Sequence, residues 1–419
     1  MQNQAAPKAN HFAGFDGLRL IAAVSVIFSH SFLIATGSEE NEPLVRLLGP
    51  RNSAGLYGVY TFFVISGFLL ARSLRSNPGL TTYSVNRVLR IVPAFAACAL
   101  VMAFIIGPIC SRASLSSYYS SPVTWSFIAY TLNGFSDWPL PGVFAYDADL
   151  ATVVNASLWS LPYEALSYIF LVAVWMSCRS PSLATGAIVT VALCTWIFPV
   201  VEKALAGIAF TLPFFGGGVF MQWVHARYGT HRILAILSAI LLVAAGFFGW
   251  QTRAFALLGA YLIVFFGERQ NPGSKLAAKI GDCSYGLYLY AWPAEQILKQ
   301  FTGTTSPFWL FLGALPLAWT LAFLSCHLIE RPVMKRRGAV AALLRSAFNK
   351  LFQGVRAPAV IGAKIVFVVG ALLLLTRGPY WLITWNMGRL LVLMMAGSAI
   401  AVVAHRLGVR VGLWQPPSP

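Results

Sequence analysis

Apolar runs separated by short polar stretches follow one another along almost the whole chain. A helix needs about 20 mostly apolar residues to cross a bilayer, and twelve runs approach or reach that length. The runs comprise residues 15–36, 56–71, 91–110, 158–176, 183–201, 205–224, 233–250, 254–267, 285–298, 308–329, 360–376 and 380–404. A weaker run at 125–135 suits a re-entrant or interfacial piece. The pattern predicts an all-α polytopic membrane protein.

Basic residues occur mainly in alternate loops between these runs. If the N-terminus lies in the cytoplasm, the basic loops 72–90, 227–232 and 269–279 all lie inside. The inner segment that follows the tenth run adds Arg331, Lys335, Arg336, Arg337, Arg345, Lys350 and Arg356, whereas the outer loops carry Glu39, Glu40, Glu42, Asp137, Asp147 and Asp149. Cytoplasmic loops are enriched in lysine and arginine, so the alternation predicts that both termini are cytoplasmic.

Composition agrees with a membrane protein. Of the 419 residues, 58% are hydrophobic and 10% are charged, against about 25% charged residues in soluble domains. The net charge of +17 fits the basic inner loops, and affinity for anionic lipids or an anionic cosubstrate is the functional alternative. No basic domain stands clear of the bilayer, so we expect no nucleic-acid binding. The first run contains Arg19 and lacks a small-residue cleavage site, which predicts a retained helix.

The six cysteines are scattered, mostly in or beside apolar runs. They are Cys98, Cys110, Cys178, Cys194, Cys283 and Cys326, and no two of them form a CxxC pair. This distribution is typical of small buried apolar residues rather than of a disulfide framework or a zinc site. We therefore expect no metal.

Arg19 and His30 are ionisable residues inside the first apolar run. Eleven residues at about 100° each turn through roughly 1100°, about 20° past three full turns, so the two side chains share one helix face. They lie about 16 Å apart along the axis. Ionisable groups inside a membrane usually face the protein interior or a wet cavity, so the pair predicts a tunnel. Snorkelling of Arg19 and a structural hydrogen-bonding role for His30 are the alternatives.

Glu164, Arg87 and Arg90 are the other polar residues that suggest chemistry. Glu164 lies about two turns into the fourth run, counted from outside, where it can reach the depth of His30. A carboxylate beside an imidazole orients it for general-base catalysis. Arg87 and Arg90 lie one turn apart in an inner loop, where such a pair can bind phosphates. Helix capping for Glu164 and membrane topology for the arginines are the alternatives.

Six strings along the chain together resemble the acyltransferase-3 membrane family. They are FDGLRLIAAVSVIFSH, FFVISGFLL, NRVLRIVPAF, SLWSLPYE, SYGLYLYAWP and IERP, in the family's order over residues 12–337. The resemblance implies a ten-helix core, here residues 1–337, in a bacterial inner membrane. It also implies transfer of an acyl group, usually acetyl, from cytosolic acyl-CoA to a hydroxyl, most often on an envelope carbohydrate.

The resemblance assigns residues to roles. Arg19 and His30 match the family's essential arginine and histidine, Arg87 and Arg90 its basic motif, and Glu164 its acidic position. Ala291 stands where many relatives carry a histidine, so we place no second catalytic histidine there. Residues 338–419 exceed the core as a basic linker with two further helices, for which packing or a partner surface is the only role suggested.

The predicted mechanism places coenzyme A at the inner face, with its phosphates on Arg87 and Arg90 and with help from Arg19. His30 is the general base on the acceptor hydroxyl, and Glu164 orients its imidazole. An acyl-histidine intermediate remains an alternative to direct transfer. The residues assigned to the acceptor are Trp159, Tyr285 and Tyr288.

The partners expected for such an enzyme are a carbohydrate acceptor and membrane lipids. A homo-oligomer or a glycan-assembly partner stays open. A polytopic carrier that exports a polar metabolite or a lipid-linked sugar is the alternative function, because it would share the helix count and the buried charges.

Overall fold

The computed structural model describes residues 12–76, 80–132, 138–145, 153–178, 180–198 and 206–351, together with residues 134 and 136. The two predicted runs at 360–376 and 380–404 lie outside the described residues, as does most of the predicted second domain, 338–419. The described residues form helices joined by turns, and the only β-type pairing among them is an isolated bridge between Ser111 and Val143.

The helices follow one another in this order: α1 Ala13–Thr36, α2 Pro43–Leu48, α3 Ala54–Arg75, α4 Leu80–Val101, α5 Gly107–Cys110, α6 Leu115–Ser120, α7 Pro122–Leu132, α8 Leu161–Ser177, α9 Pro181–Ile197, α10 Ala206–Ala209, α11 Leu212–Tyr228, α12 Arg232–Phe247, α13 Gln251–Ala254, α14 Ala260–Gly267, α15 Pro272–Ile280, α16 Ser284–Thr302, α17 Pro307–Ser325, α18 Arg331–Lys335 and α19 Arg337–Leu351. A 3₁₀ turn, Ala156–Ser160, precedes α8. Three π-helical turns continue longer helices: Met102–Ile106, Phe255–Gly259 and Cys326–Glu330.

Each of the first ten predicted runs coincides with helix. Within the described part of the chain, five helical segments are long and apolar enough to cross a membrane: Ala13–Thr36, Ala54–Arg75, Thr82–Cys110, Ala156–Ser177 and Pro307–Lys335. Three shorter apolar helices accompany them: Pro181–Ile197, Arg232–Phe247 and Gln251–Gly267. The weaker run at 125–135 coincides with α7. The all-α polytopic membrane fold is thus confirmed.

Helices α1 and α16 run parallel and in contact along most of their lengths. At one end Arg19 lies near Asp282, which is two residues before the start of α16. Farther along, Ser31 contacts Glu295, and near the other end the Lys299 ammonium donates to the Ala35 carbonyl at 3.1 Å. We call the end that holds Arg19 and Asp282 the basic end, and the opposite end the far end.

Helix α3 packs closely between α1 and α11 through glycines. A Cβ atom on Gly218 of α11 would lie 2.1 Å from the Val64 carbonyl oxygen, and one on Gly67 would lie 2.1 Å from the Phe215 carbonyl oxygen. Small residues allow membrane helices to approach this closely, and Gly67 supplies such a residue within the FFVISGFLL string. The close contact fixes α3 as one wall of the site described below.

The chain that leads into α8 already lies alongside α16 before the helix begins. Trp292 donates to the Val153 carbonyl at 3.3 Å, and Asn155 donates to the Leu289 carbonyl at 2.9 Å. The Ser160 and Tyr288 hydroxyls then lie 2.7 Å apart. The partners on α16 move steadily toward the basic end, so α8 starts deep in the bundle. The path of this segment along α16 determines how far Glu164 lies from each end of the bundle.

Candidate active site

Asp282 joins two of the predicted arginines at the basic end. Its Oδ2 lies 2.6 Å from Nη2 of Arg90 and 3.6 Å from Nη1 of Arg19. The Ser284 hydroxyl donates to its other oxygen at 2.5 Å. Arg19 also lies 3.3 Å from Asp16, one helical turn away. Arg19 and Arg90 are therefore anchored by carboxylates.

The charge of Asp282 depends on this pairing. Burial by itself raises the pKa of the carboxyl, and the guanidinium charges of Arg90 and Arg19 oppose this effect. With the hydrogen bond from Ser284, the net effect holds the pKa of Asp282 well below its usual range. Asp282 is consequently an anion at neutral pH.

A narrow cavity of about 80 Å³, partly open to solvent, lies beside this cluster. Six of the eight residues that the sequence assigned to the site line it: Arg19, Arg87, Arg90, Glu164, Tyr285 and Tyr288. These three arginines, two tyrosines and one glutamate come from four separate helices and meet around one space. The cavity combines cationic and aromatic walls.

Glu164 lies in this cavity with hydroxyl partners. Ser66 donates to it at 3.1 Å, and Tyr168, one turn along α8, donates to the same oxygen. The Tyr285 hydroxyl donates to the Ile91 carbonyl at 3.1 Å. These bonds connect α3, α4, α8 and α16 around the cavity and hold its polar groups in place.

Arg87 differs from the other two arginines. Among the residues that the structure describes, no carboxylate lies within 4.0 Å of it, and its buried Nε has no hydrogen-bond partner. It nevertheless lines the cavity. Arg87 is therefore the cavity arginine best placed to receive an anionic ligand.

His30 lies farther along α1, at the level of Glu295. Its Nδ1 is 3.8 Å from Oε2 of Glu295, which is fully buried. The Ser31 hydroxyl donates to the other Glu295 oxygen at 2.5 Å, and the Trp292 ring packs against the imidazole at 5.1 Å between centroids. The His30 side chain is 14% exposed. Arg19 and His30 both face the α16 side, as their spacing predicted.

The prediction that Glu164 lies beside His30 is wrong. The carboxyl group beside His30 belongs to Glu295. The sequence argument assumed that α8 begins at the membrane surface, which would leave Glu164 two turns below it. The segment before α8 instead descends along α16 as far as Tyr288. Tyr288 precedes Glu295 by seven residues, or about 10 Å of helix, so Glu164 lies well toward the basic end.

The cavity also stops short of His30. Neither His30 nor Trp159 is among the described residues that line it. The Phe62 and Tyr288 rings, 5.7 Å apart, lie at its inner wall. Trp159 packs instead against Tyr163 and Phe210, with centroids 6.0 and 5.9 Å apart. The predicted common tunnel is therefore a cavity at the basic end and a separate histidine–carboxylate pair beyond it.

Sequence reasoning missed Asp282 and Glu295 as site residues. Both carboxylates flank or interrupt the short ninth apolar run, and an acid inside an apolar run is a usable signal because burying it is costly. The partners of these two acids could not be predicted, because spacing within one helix says nothing about which residue of another helix lies opposite.

Comparison with known proteins identifies the family. The sequence profile of the acyltransferase domain matches residues 12–327, about three quarters of the chain. The chain is 26% identical over 348 residues to an O-acetyl transferase of Shigella phage Sf6, which covers 77% of this chain and 96% of that protein. It is 27% identical over 374 residues to nodulation protein 10 of Rhizobium leguminosarum bv. viciae, with 80% and 96% coverage.

A more distant relative is peptidoglycan O-acetyltransferase OatA of Listeria monocytogenes. The identity is 23% over 376 residues, which cover 76% of this chain and 55% of that protein. No solved structure matches the chain significantly.

Proposed function

The chain belongs to the membrane acyltransferase family, and on that premise we propose that it is an O-acyltransferase that moves an acyl group from acyl-CoA to a carbohydrate hydroxyl. The relatives named for O-acetyl transfer favour acetyl as the acyl group. The relative named for peptidoglycan favours a cell-envelope carbohydrate as the acceptor. The family match favours this enzyme over the carrier.

The donor site we propose is the cavity at the basic end. Coenzyme A is polyanionic, and three arginines line the cavity. Arg87 binds a phosphate directly, because no carboxylate of the described residues competes for it. Arg19 and Arg90 supply positive potential while Asp282 holds them in place. This gathering of three arginines around one cavity is the observation that carries the proposal.

The catalytic group we propose is His30, with Glu295 as its positioning residue. A carboxylate at Nδ1 leaves Nε2 to take the proton of the acceptor hydroxyl. The hydroxyl oxygen attacks the thioester carbon, the carbon–sulfur bond breaks, and the departing thiolate takes the proton from the imidazolium. Glu295 stabilises the imidazolium while it exists, so the pair returns to its starting state.

The proposed mechanism requires the pantetheine arm to pass the Phe62 and Tyr288 rings. Those rings separate the cavity from the level of His30, about 10 Å farther along α16. Opening this path requires the buried Tyr288 ring to rotate away from Ser160, whose hydroxyl lies 2.7 Å from that of Tyr288. In this proposal the basic end faces the cytoplasm, so the donor enters from inside and the acceptor meets His30 from the far end.

The test is release of free coenzyme A from acetyl-CoA by the purified protein in detergent, with soluble peptidoglycan fragments as the acceptor. We expect release that depends on the acceptor and that falls about 10²–10⁴-fold in His30→Ala. His231→Ala, at an exposed helix start, is the matched control. Mass spectrometry of envelope glycans from cells with and without the protein identifies the acetylated sugar. A fully active, well-folded His30→Ala protein would refute the mechanism.

A further inference from the structure

Two cysteines and a histidine meet at the basic end, behind the cavity. Cys283 immediately precedes α16, whereas Cys326 and His327 begin the π-helical turn that follows α17. One ligand atom from each lies within 4.8 Å of the other two. Thiolate sulfur and imidazole nitrogen are the ligands that zinc prefers in proteins.

The surroundings of the three groups suit a metal ion. The two cysteines are buried, at 4% and 2% exposure. His327 Nδ1 lies 2.9 Å from the Phe323 carbonyl, so Nδ1–H donates there and Nε2 keeps its lone pair. A backbone carbonyl that fixes a histidine in this way is the usual support of a metal-bound imidazole. The site thus has three suitable ligands, and one of them, His327, is already oriented by a hydrogen bond.

Although the cysteine spacing along the chain led us to expect no metal, we propose that Cys283, Cys326 and His327 bind one zinc ion, with water as the fourth ligand. Two thiol protons leave to solvent as the zinc–sulfur bonds form, so the ion and two thiolates are together neutral. This neutrality allows the site to lie among buried residues. The Arg331 guanidinium, which now lies 2.7 Å from His327 Nε2, gives up that position, and its exposed side chain has room to move.

Zinc at this position would connect the start of α16 to the end of α17. Without the ion, the Cys326 thiol donates to the Asp282 carbonyl at 3.6 Å, and the zinc–sulfur bond would replace this contact. The Asp282 side chain, in turn, anchors Arg19 and Arg90. The bound ion would therefore stiffen the base of the cavity rather than take part in acyl transfer. A site so placed couples metal binding to the order of the basic end.

Titration of the reduced, purified protein with Co²⁺ tests the site directly. Thiolate–cobalt bonds absorb in the near ultraviolet, so we expect this band to appear with one equivalent of Co²⁺ and to bleach when Zn²⁺ is added. Binding should release about two protons per ion. The band should be lost in Cys283→Ser and in Cys326→Ser and kept in Cys178→Ser, a matched control in which the cysteine lies at the end of α8.

Arg331→Met provides a variant in which binding should improve. It removes the group that competes for His327 Nε2, so we expect the Zn²⁺ affinity to rise about 10–100-fold, the value of one charge-assisted hydrogen bond. Zinc should also raise the melting temperature of the wild-type protein but not of Cys326→Ser. Absence of the charge-transfer band from reduced, folded protein, or its persistence in both cysteine variants, would overturn the proposal. Neither result would affect the proposed acyl transfer.

Discussion

His30 and Glu295 are the residues closest to the proposed chemistry, and Glu295 can be tested without disturbing its size. Glu295→Gln keeps an acceptor for the Ser31 hydroxyl but removes the carboxyl group that would stabilise an imidazolium at His30. We expect kcat to fall about 10–100-fold while KM for acetyl-CoA stays within about twofold, because the donor site lies elsewhere. Steady-state kinetics in detergent measure both constants.

Gln300→Ala controls for general disturbance of α16. Gln300 lies on the same helix and donates to the Cys110 carbonyl at 3.0 Å, away from His30. We expect its kinetic constants to remain near those of the wild type. Equal losses in the two variants would mean that Glu295 acts through packing and not through its charge.

Arg87 and Arg90 occupy neighbouring helical turns yet differ in their partners, which predicts different effects of the same substitution. Arg87→Met should raise KM for acetyl-CoA about 10–100-fold, the value of one charge-assisted hydrogen bond, with little change in stability. Arg90→Met leaves Asp282 without its closest partner, so it should destabilise the protein by about 1–2 kcal/mol. Kinetics and thermal unfolding together distinguish the two. Equal KM effects with equal stability would contradict the division of roles.

Asp282 gives the basic end a pH dependence whose sign follows from its lowered pKa. A carboxyl with a depressed pKa stabilises the fold above its unfolded pKa of about 3.9, and this contribution is lost as pH falls through the folded value. The wild type should therefore exceed Asp282→Asn in melting temperature by a constant amount from about pH 5 to 8. The difference should shrink only in strong acid. A difference that vanishes near pH 6 would refute the pairing.

At the scale of the elements, the α3–α11 contact depends on glycine. Gly218→Val would place a Cβ atom 2.1 Å from the Val64 carbonyl oxygen. The two methyl groups of valine need further space, so the helices must separate. We expect destabilisation of about 2 kcal/mol or more, with loss of activity because α3 carries Phe62 and Ser66. Thermal unfolding in detergent measures the first effect.

Gly186→Ala on α9 is the matched control for the glycine variant. A Cβ atom there meets nothing within 4 Å, and alanine favours helix over glycine by about 1 kcal/mol. This variant should be as stable as the wild type or more so. A Gly218→Val protein with unchanged stability would show that the helices can separate without cost.

At the scale of the whole molecule, the proposed reaction needs the basic end in the cytoplasm. Glu40→Cys, beyond the far end of α1, should react with a membrane-impermeant maleimide in intact cells. Lys275→Cys, exposed on α15 at the basic end, should react only after the membrane is permeabilised. Wild-type protein is the control, because it measures the background labelling of the native cysteines. The reverse pattern would place the arginine cavity outside, where no acyl-CoA is available.

Hydrophobic periodicity and residue spacing determined much of this protein without the structure. The first ten apolar runs became helices because about 20 apolar residues in a bilayer must satisfy their backbone groups internally. The positions of Arg19 and His30 on a common face followed from helical geometry alone. The strings that resemble the family also singled out Arg19, Arg87, Arg90 and Glu164, and these four residues line one cavity.

Only the tertiary structure decided which residue lies opposite which. Glu164 and Glu295 are both acids within apolar runs, and the descent of residues 153–160 along α16 placed the first at the cavity and the second beside His30. The meeting of Cys283 and Cys326 was also decided by tertiary structure. These residues are 43 positions apart and come together because α16 and α17 pack as an antiparallel pair. Helical periodicity is a local property of the backbone, whereas the register between helices depends on how their side chains pack.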